Sequence, residues 1–182
     1  MKAYIVAHVF LLPFLVFTIL APFGYPLLGA VLGVVIGVVA CAMRYGATIP
    51  PAFMAAQVLG VFTVLVILLL VPDLKEINGL AIVFAFLAGG ALISVVQRKP
   101  WTAELSAADV GDFATHPAFI KSNILFSAMW MVIFGWFAFA NWQELSPWFR
   151  WVPMIVGGII TVVGPKVLMN IGITRGIVPP RQ

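Results

Sequence analysis

The sequence predicts an all-α, polytopic membrane protein: a bundle of six transmembrane helices with a short amphipathic interfacial helix between the fourth and the fifth. Hydrophobic residues make up 63% of the 182 positions and charged residues only 9%, whereas a soluble domain carries about a quarter charged residues. The apolar residues are gathered into six runs long enough to cross a bilayer. Breaks that contain prolines or charges separate the runs. We therefore expect a single transmembrane domain, residues 1–182.

The six predicted spans account for much of the chain. They cover residues 4–20, 27–43, 53–71, 79–96, 123–140 and 152–168. The first run has the basic start of a signal peptide, but it is long and no small-residue cleavage site follows it, so we interpret it as a retained span. Pro13 in its middle lacks a backbone N–H, which predicts a kink there.

The charges predict the orientation of the spans. With both termini in the cytoplasm, eight basic residues lie on the inner side and two, Lys75 and Arg150, on the outer side. Membrane proteins concentrate lysine and arginine on the cytoplasmic side. We expect a multi-pass protein of the bacterial inner (plasma) membrane with both termini cytoplasmic. The net charge of +4 follows from this topology and gives no support to nucleic-acid binding.

Small residues recur at regular helical intervals in three of the spans. Gly29, Gly33 and Gly37 mark one face of the second span, and similar stripes run through the fourth and the sixth. Small residues on a helix face let a neighbouring helix approach closely. The stripes indicate packing within the chain; the alternatives are an oligomer interface or the lining of a narrow pathway.

Aromatic residues near the span ends predict contact with the membrane interface. They are Tyr4, Tyr45, Trp101, Trp142, Trp148 and Trp151. Tryptophan is enriched with tyrosine at both membrane–water interfaces. We expect nearly all of these side chains to act as interfacial anchors.

Residues 97–122 form the only connection long enough for structure of its own. Ser106 and Asp109 have the spacing of a helix-capping box, with aspartate in place of glutamate. With the apolar residues around them, they predict a short amphipathic helix that lies in the membrane interface. His116 and Pro117 end it, and Pro117 is suited to the first turn of the next helix.

Basic residues make this connection a candidate binding site. Arg98 and Lys99 open it, and His116 lies near its end. Together they predict a cytoplasmic site for an anionic small molecule, a lipid headgroup or a partner. The alternative is ordinary anchoring by positive charges at the inner membrane surface.

The run Arg98-Lys99-Pro100-Trp101-Thr102, after a glycine-rich span, resembles a segment of small bacterial integral membrane proteins whose function is uncharacterised. Those proteins carry a basic residue, then proline, an aromatic residue and threonine at this place. The similarity covers roughly residues 89–136, and this chain departs from it in the acidic stretch after Thr102. The resemblance implies a bacterial inner-membrane setting and no particular activity or site residue.

Lys166 is the only charged residue deep inside a predicted span. A cation at the centre of a membrane helix costs about 2.5–3.5 kcal/mol on insertion scales unless it reaches water, headgroups or a partner. Pro165 frees the carbonyl of Thr161 from its helical bond, and Asn170 lies one turn further on. Lys166, Thr161 and Asn170 therefore form a candidate binding group. The alternative is snorkelling, in which the long side chain reaches the inner headgroups.

Other chemistry is sparse in the sequence. A single cysteine, Cys41, excludes an internal disulfide and a cysteine metal cluster, and the two histidines lie far apart, so we expect no metal and no cofactor. No carboxylate falls within a predicted span, which argues against a proton-coupled carrier. Gln57 lies within the third span and needs a partner if it faces protein.

These observations favour a small transport or ligand-binding protein: a facilitator, an anion pathway or a substrate-binding membrane subunit. The span count and size are similar to those of the substrate-capture subunits of energy-coupling vitamin transporters, an analogy without a supporting motif. Two alternatives stay open, a non-catalytic accessory or assembly subunit of a larger membrane complex, and a lipid-modifying enzyme that uses His116 with Asp109 or Asp112. Expected partners are membrane lipids, a second copy of the chain or a larger complex.

Overall fold

The computed structural model describes the backbone of residues 2–71 and 76–174, and the side chains within 11–71, 78–107 and 110–164 and at Val167. This part of the chain is all-α. Its seven α-helices are α1 (Lys2–Leu20), α2 (Pro26–Tyr45), α3 (Ala52–Leu70), α4 (Glu76–Val96), α5 (Trp101–Val110), α6 (Pro117–Trp142) and α7 (Pro147–Thr174). Short 3-10 turns occupy Ala21–Phe23 and Gly111–Thr115.

Prolines set the starts of most of these helices. Pro26, Pro117 and Pro147 are the first residues of α2, α6 and α7, while Pro51 and Pro100 precede α3 and α5. Proline suits the first turn because the N–H that it lacks has no intrahelical partner there. It also disfavours the helical conformation in the residue before it. Pro117 opens the helix after the long connection, as the sequence predicts.

Within the residues that the structure describes, five helices are long and apolar enough to cross a membrane. They are Pro26–Tyr45, Ala52–Leu70, Asn78–Val96, Pro117–Trp142 and Pro147–Gly164. Large apolar side chains are exposed along their outer faces, including Val35, Leu69 and Val132, and such a surface suits a hydrocarbon surrounding. Among the described side chains, the apolar stretch Leu11–Phe23, which begins within α1, is shorter. The chain is therefore a multi-pass membrane protein, and the sixth span stays a prediction.

The helices pack around α4, which lies between α3 and α6. On one side α1 packs along α2 and also contacts α3 and α5, and on the other side α7 packs against α6. Buried aromatic and branched side chains fill the space along α4, among them Phe17, Val64, Phe84 and Phe137. The centre of the bundle is thus a mainly apolar core.

The glycine stripe of α2 faces α1 and α3. A Cβ atom added to Gly33 would lie 2.5 Å from the carbonyl oxygen of Pro13 and 2.9 Å from Val61 Cγ1, and one added to Gly37 would lie 2.7 Å from Val58 Cγ2. Protein interiors are close-packed, so these positions have no room for a side chain. The glycine stripe of α2 therefore serves packing within the chain, which is the first of the three roles predicted for such stripes.

The predicted short helix exists as α5, but it begins earlier than expected. Its first residue is Trp101, with Pro100 at the capping position. The predicted capping box at Ser106 and Asp109 is therefore wrong, and Ser106 Oγ instead donates to the Thr102 carbonyl one turn back in the helix. Because Trp101 and Thr102 are buried, α5 starts inside the bundle. Its placement in the membrane interface stays a prediction.

The two ends of the bundle carry different elements. At one end, named the α5 end, Phe53 at the start of α3 stacks on Trp101 at the start of α5. At the opposite end, Gly79 near the start of α4 lies against Phe17 near the end of α1. Most of the buried polar side-chain atoms without a hydrogen-bond partner in the described part of the chain lie at the α5 end, and one, Arg150 Nε, lies at the opposite end.

Candidate ligand-binding site at the α5 end

A cavity of about 500 Å³ opens at the α5 end of the bundle. It lies between the α2–α3 connection, the first turn of α3, the last turn of α4 and the start of α5. Its lining consists of Ile49, Pro50, Pro51, Ala52, Phe53, Ala55, Ser94, Gln97, Lys99, Trp101 and Glu104. We name it the α5 cavity. Its size is within the range of small-molecule sites.

The turn between α4 and α5 separates the side chains of the neighbouring residues Arg98 and Lys99. The N–H of Lys99 donates to the Ser94 carbonyl at 3.0 Å, and that of Arg98 donates to the Val95 carbonyl at 3.0 Å. This pattern is a Schellman motif, and it places Arg98 at φ +55°, where glycine is usual. Lys99 then lines the α5 cavity, whereas Arg98 lines a second cavity on the bundle surface. The two residues do not form one site.

Trp101 closes the inner wall of the α5 cavity. Its ring stacks on Phe53, with centroids 4.1 Å apart and planes 9° from parallel. Phe134 lies 6.3 Å from it on the α6 side. The side chain is 5% exposed, and its Nε1 is buried without a hydrogen-bond partner. Buried tryptophan N–H groups usually find a partner, so this donor is available to a ligand or a water molecule.

The neighbour of Trp101 fixes α5 to α6. Thr102 Oγ1 donates to the Asn123 carbonyl at 2.9 Å and lies 3.1 Å from Ser127 Oγ. All three residues are buried. A buried, paired polar network holds its members in one geometry. Trp101 and Glu104, which flank Thr102 on the same short helix, are therefore held in place beside the α5 cavity.

Glu104 brings a carboxyl group to the α5 cavity. Its Oε2 atom is buried and has no hydrogen-bond partner. Burial raises the pKa of the Glu104 carboxyl above its ordinary value, and the Arg44 guanidinium partly opposes this rise. A neutral glutamic acid offers a donor as well as an acceptor. Glu104 can therefore present either kind of hydrogen bond to a ligand.

Tyr45 and Arg44 stand at the end of α2, next to this carboxyl. The Arg44 guanidinium carbon lies 5.6 Å from the centre of the Tyr45 ring. The Tyr45 hydroxyl is buried and interacts with the Arg44 side chain, and the ring packs against the apolar core. Tyr45 thus adds a buried hydroxyl group near the Glu104 carboxyl.

Gln57 is the deepest polar side chain near the α5 end. It is 0% exposed, and both its Oε1 and its Nε2 lack a hydrogen-bond partner. It lies four residues after Phe53 on α3, so the two side chains share the buried helix face. The sequence raised the need for a partner to Gln57, and no other described side chain supplies one.

The second cavity combines positive charge with apolar surface. It has a volume of about 450 Å³ and is lined by Arg98, Pro117, Ile120, Lys121 and Ile124. Arg98 and Lys121 are exposed at its rim. We name it the basic groove. Its composition suits an anionic headgroup with an apolar chain below it.

His116 lies outside both cavities. It is exposed, its ring stacks on Phe113 with centroids 4.8 Å apart, and its Nδ1 accepts a hydrogen bond from the Ala118 N–H at 3.2 Å. This bond caps the start of α6. The structure thus gives His116 a capping role and does not bring it to Lys99 or Arg98.

The predicted group around Lys166 is described only at Thr161. Thr161 Oγ1 accepts a hydrogen bond from Trp130 Nε1 at 2.8 Å and donates to the Gly157 carbonyl at 2.8 Å, so both of its roles are filled within the protein. The side chains of Lys166 and Asn170 lie outside the described residues. The backbone of α7 continues as a helix through Pro165 to Thr174.

Sequence reasoning missed most of the α5 cavity. It assigned Trp101 and Tyr45 to the membrane interface and Glu104 to a polar connection. The available signal was Pro100, which suits the residue before a helix and so places Trp101 and Glu104 one turn apart on α5. Among the residues that the structure describes, no three histidine, cysteine, aspartate or glutamate residues gather as a metal site would require.

Comparisons with models of protein families, with curated proteins and with solved structures found no match to the chain. The resemblance of residues 98–102 to other small membrane proteins stays a prediction. The residues at the α5 end are therefore the basis for the proposed function.

Proposed function

We propose that the chain is a small transport or ligand-binding protein of the membrane, and that its ligand binds in the α5 cavity. The observation that supports this most is the set of buried, unpartnered polar atoms at the α5 end, on Gln57, Trp101 and Glu104. Native proteins pair nearly all buried polar groups, and each exception calls for an explanation. A ligand that completes these hydrogen bonds is such an explanation.

The chemistry of the α5 cavity favours a small polar molecule. Lys99 supplies a cation at the rim, Trp101 a donor, and Glu104 an acceptor or, when neutral, a donor. The Phe53 and Trp101 rings supply apolar wall. An anionic group can pair with Lys99, and a polar or ammonium group can pair with Glu104.

The route from the α5 cavity through the bundle is closed in this conformation. Phe84 stacks against Phe137 with centroids 4.1 Å apart and lies 5.9 Å from Phe134, and all three rings are buried. A transport cycle would have to open this aromatic core. The described conformation therefore fits a ligand-binding state that is open at the α5 end.

The proposed topology has six spans, with α1 as the first, in a bacterial inner membrane. The excess of basic residues at the α5 end supports placing that end and both termini in the cytoplasm. The ligand would then enter from the cytoplasm. Cysteine labelling tests this: in a Cys41→Ala background, Glu144→Cys reacts with an impermeant reagent from outside the cell and Asp112→Cys does not, whereas the reverse pattern inverts the topology.

The basic groove supports membrane lipids as partners. We propose that Arg98 and Lys121 contact the phosphate of an anionic lipid while Ile120 and Ile124 contact its chain. Each basic residue near an anionic membrane surface contributes about 1 kcal/mol. This places an anionic headgroup next to the α5 cavity and not inside it.

One observation favours the accessory-subunit alternative. Helix α7 packs against α6, and the segment Pro147–Gly164 is only 6% buried. Its outward side carries Ile155, Ile159 and Val162, which are all exposed. A second copy of the chain or another membrane subunit can cover this face as well as lipid can.

A compound panel tests the proposed function. The purified full-length chain in detergent is heated with small organic acids, amines, amino acids, neutral amides and inorganic anions, and the unfolding temperature is recorded. We expect at least one class to raise it, because a ligand that binds only the folded state stabilises it. Glu104→Gln and Trp101→Phe should each weaken that rise.

The control for this panel is Trp148→Phe, since Trp148 is 78% exposed and far from the α5 cavity. It should leave the response to every compound unchanged. Binding in the α5 cavity is contradicted if no class of compound raises the unfolding temperature of the wild type. It is also contradicted if Glu104→Gln and Trp101→Phe both show the same rise as the wild type.

A further inference from the structure

Gln57 is costly where it lies. Its amide is fully buried, and neither its donor nor its acceptor has a partner. Leaving a buried polar group unpaired costs about 1–3 kcal/mol. A leucine or methionine at this position would fill a similar volume without that cost. The residue therefore weakens the fold of the ligand-free chain.

The geometry of α3 places Gln57 directly beneath the α5 cavity. Phe53 lines that cavity, and Gln57 is one turn further along the same buried face, which continues with Val61 and Val64. The stacked pair of Phe53 and Trp101 lines the α5 cavity, and we name this pair the floor of the cavity because Gln57 lies one turn deeper on α3. A ligand that displaces the Phe53 ring reaches the amide.

The chemistry beneath the floor differs from that above it. The α5 cavity is lined by the ionisable side chains of Lys99 and Glu104, whereas Gln57 is neutral and shares the buried face of α3 with Val61 and Val64. An ion moved into such surroundings loses its hydration, and the cost is several kcal/mol or more. A neutral group that carries a donor and an acceptor side by side keeps both satisfied by one glutamine amide.

We propose that Gln57 binds a neutral amide group of the ligand by two hydrogen bonds, one helical turn deeper in the bundle than the Phe53–Trp101 pair. The ligand class is a small amide or a cyclic equivalent such as a lactam. This inference rests on the proposed function, since the ligand enters through the α5 cavity. It goes further in naming the group that the ligand must carry and the residue that selects it.

The test uses three probes of the same shape and different charge: benzamide, benzoate and benzylamine. Their binding to the full-length chain in detergent is measured by equilibrium dialysis, and unfolding temperatures are measured in parallel. We expect the wild-type chain to bind benzamide more tightly than the two ions. Gln57→Met, close in size and unable to hydrogen-bond in this way, should weaken benzamide binding at least about tenfold, a loss that matches one hydrogen bond or more.

The unfolding temperature of Gln57→Met also distinguishes a ligand-binding glutamine from one that only stabilises the fold. Without ligand, Gln57→Met should unfold at a higher temperature than the wild type, because an unpartnered amide has been removed. The matched control is Gln143→Met, which changes an exposed glutamine just after α6, at the opposite end of the bundle, and should leave benzamide binding within about twofold. Gln57→Leu repeats the test if Gln57→Met fails to fold.

Each contrary outcome is distinct. No binding of benzamide by the wild type, or equal binding by Gln57→Met, overturns the amide proposal. A lower unfolding temperature for Gln57→Met with unchanged benzamide binding shows that a bound water alone satisfies the amide, and also overturns it. If benzoate or benzylamine still binds in a way that depends on Glu104, the α5 cavity remains a binding site while the amide proposal fails.

Discussion

Two fully buried amides in this bundle have opposite surroundings. Asn141 lies near the opposite end, where its Nδ2 donates to the Phe137 carbonyl at 2.7 Å and its Oδ1 accepts from Arg150 Nη1 at 3.2 Å. Gln57 lies near the α5 end and has neither bond. The chain is therefore able to satisfy a buried amide, and it leaves that of Gln57 unsatisfied.

The tryptophans show the same difference. Trp130 Nε1 donates to Thr161 Oγ1 at 2.8 Å, and Trp136 Nε1 donates to the Phe149 carbonyl at 2.7 Å. Trp101 is more buried than either, and its Nε1 has no partner. We infer that the polar groups with partners stabilise the helices, whereas the unpartnered Gln57 and Trp101 at the α5 end await a ligand.

The largest expected effect concerns the scaffold on which both ends depend. Gly33→Leu inserts a side chain where the Pro13 carbonyl and Val61 leave no room, and overpacking of this kind costs about 1–3 kcal/mol or more. Yield after size-exclusion chromatography should fall sharply. Gly89→Leu is the matched control, because nothing lies within 4 Å of a Cβ atom there; equal yields for the two variants would contradict the packing of α2 on α1.

The next effect separates the two amides directly. Asn141→Leu leaves Arg150 without its acceptor and should destabilise the chain by about 1–3 kcal/mol. The same change at Gln57 should stabilise it, since no bond is lost. Thermal unfolding in detergent measures both. Shifts of the same sign would remove the distinction between the two ends.

A smaller effect is expected for the tryptophans. Trp130→Phe removes the bond to Thr161 and should cost about 1 kcal/mol. Trp101→Phe keeps an aromatic ring on Phe53 and removes a donor that has no partner, so it should cost less than Trp130→Phe. The unfolding temperatures give the order, and a larger loss in Trp101→Phe would mean that its N–H is already satisfied in the folded chain.

The smallest effect is the pH dependence of stability at Glu104. Its folded-state pKa is raised, chiefly by burial, so the folded chain binds this proton more tightly than the unfolded chain does. That stabilisation is complete below the unfolded pKa and is lost as the pH rises through the folded pKa. Glu104→Gln should flatten the unfolding temperature across this window relative to the wild type. Parallel curves for the two proteins would show that the carboxyl is not buried.

The sequence predicts the helices well because hydrophobic runs and prolines are local signals. Pro26, Pro117 and Pro147 each start a helix close to a predicted boundary. The site is not local. Trp101 lies at a span end, where an interfacial tryptophan and a buried one give the same pattern, and its burial depends on the bond from Thr102 to Asn123, 21 residues away. Glu104 becomes buried only because α5 is held there.

Gln57 shows a second limit of prediction from the sequence. The sequence indicates that a glutamine within a span needs a partner, yet it does not say whether another helix provides one. Arg98 and Lys99 are similar: adjacent basic residues predict one site, and the left-handed backbone at Arg98 separates them. Both outcomes depend on tertiary contacts and turn geometry.

The most direct measurement of ligand binding in the α5 cavity is protection of a single cysteine in its wall. In a Cys41→Ala background, Ala55→Cys places a thiol in that wall, and Met43→Cys places one at an exposed position outside it. The rate of maleimide labelling is measured in membranes with and without the small-molecule fraction of a cell extract. We expect the extract to slow labelling of Ala55→Cys and not of Met43→Cys, and the protection to be lost when Glu104→Gln is added. Equal labelling rates with and without the extract would contradict a ligand in the α5 cavity.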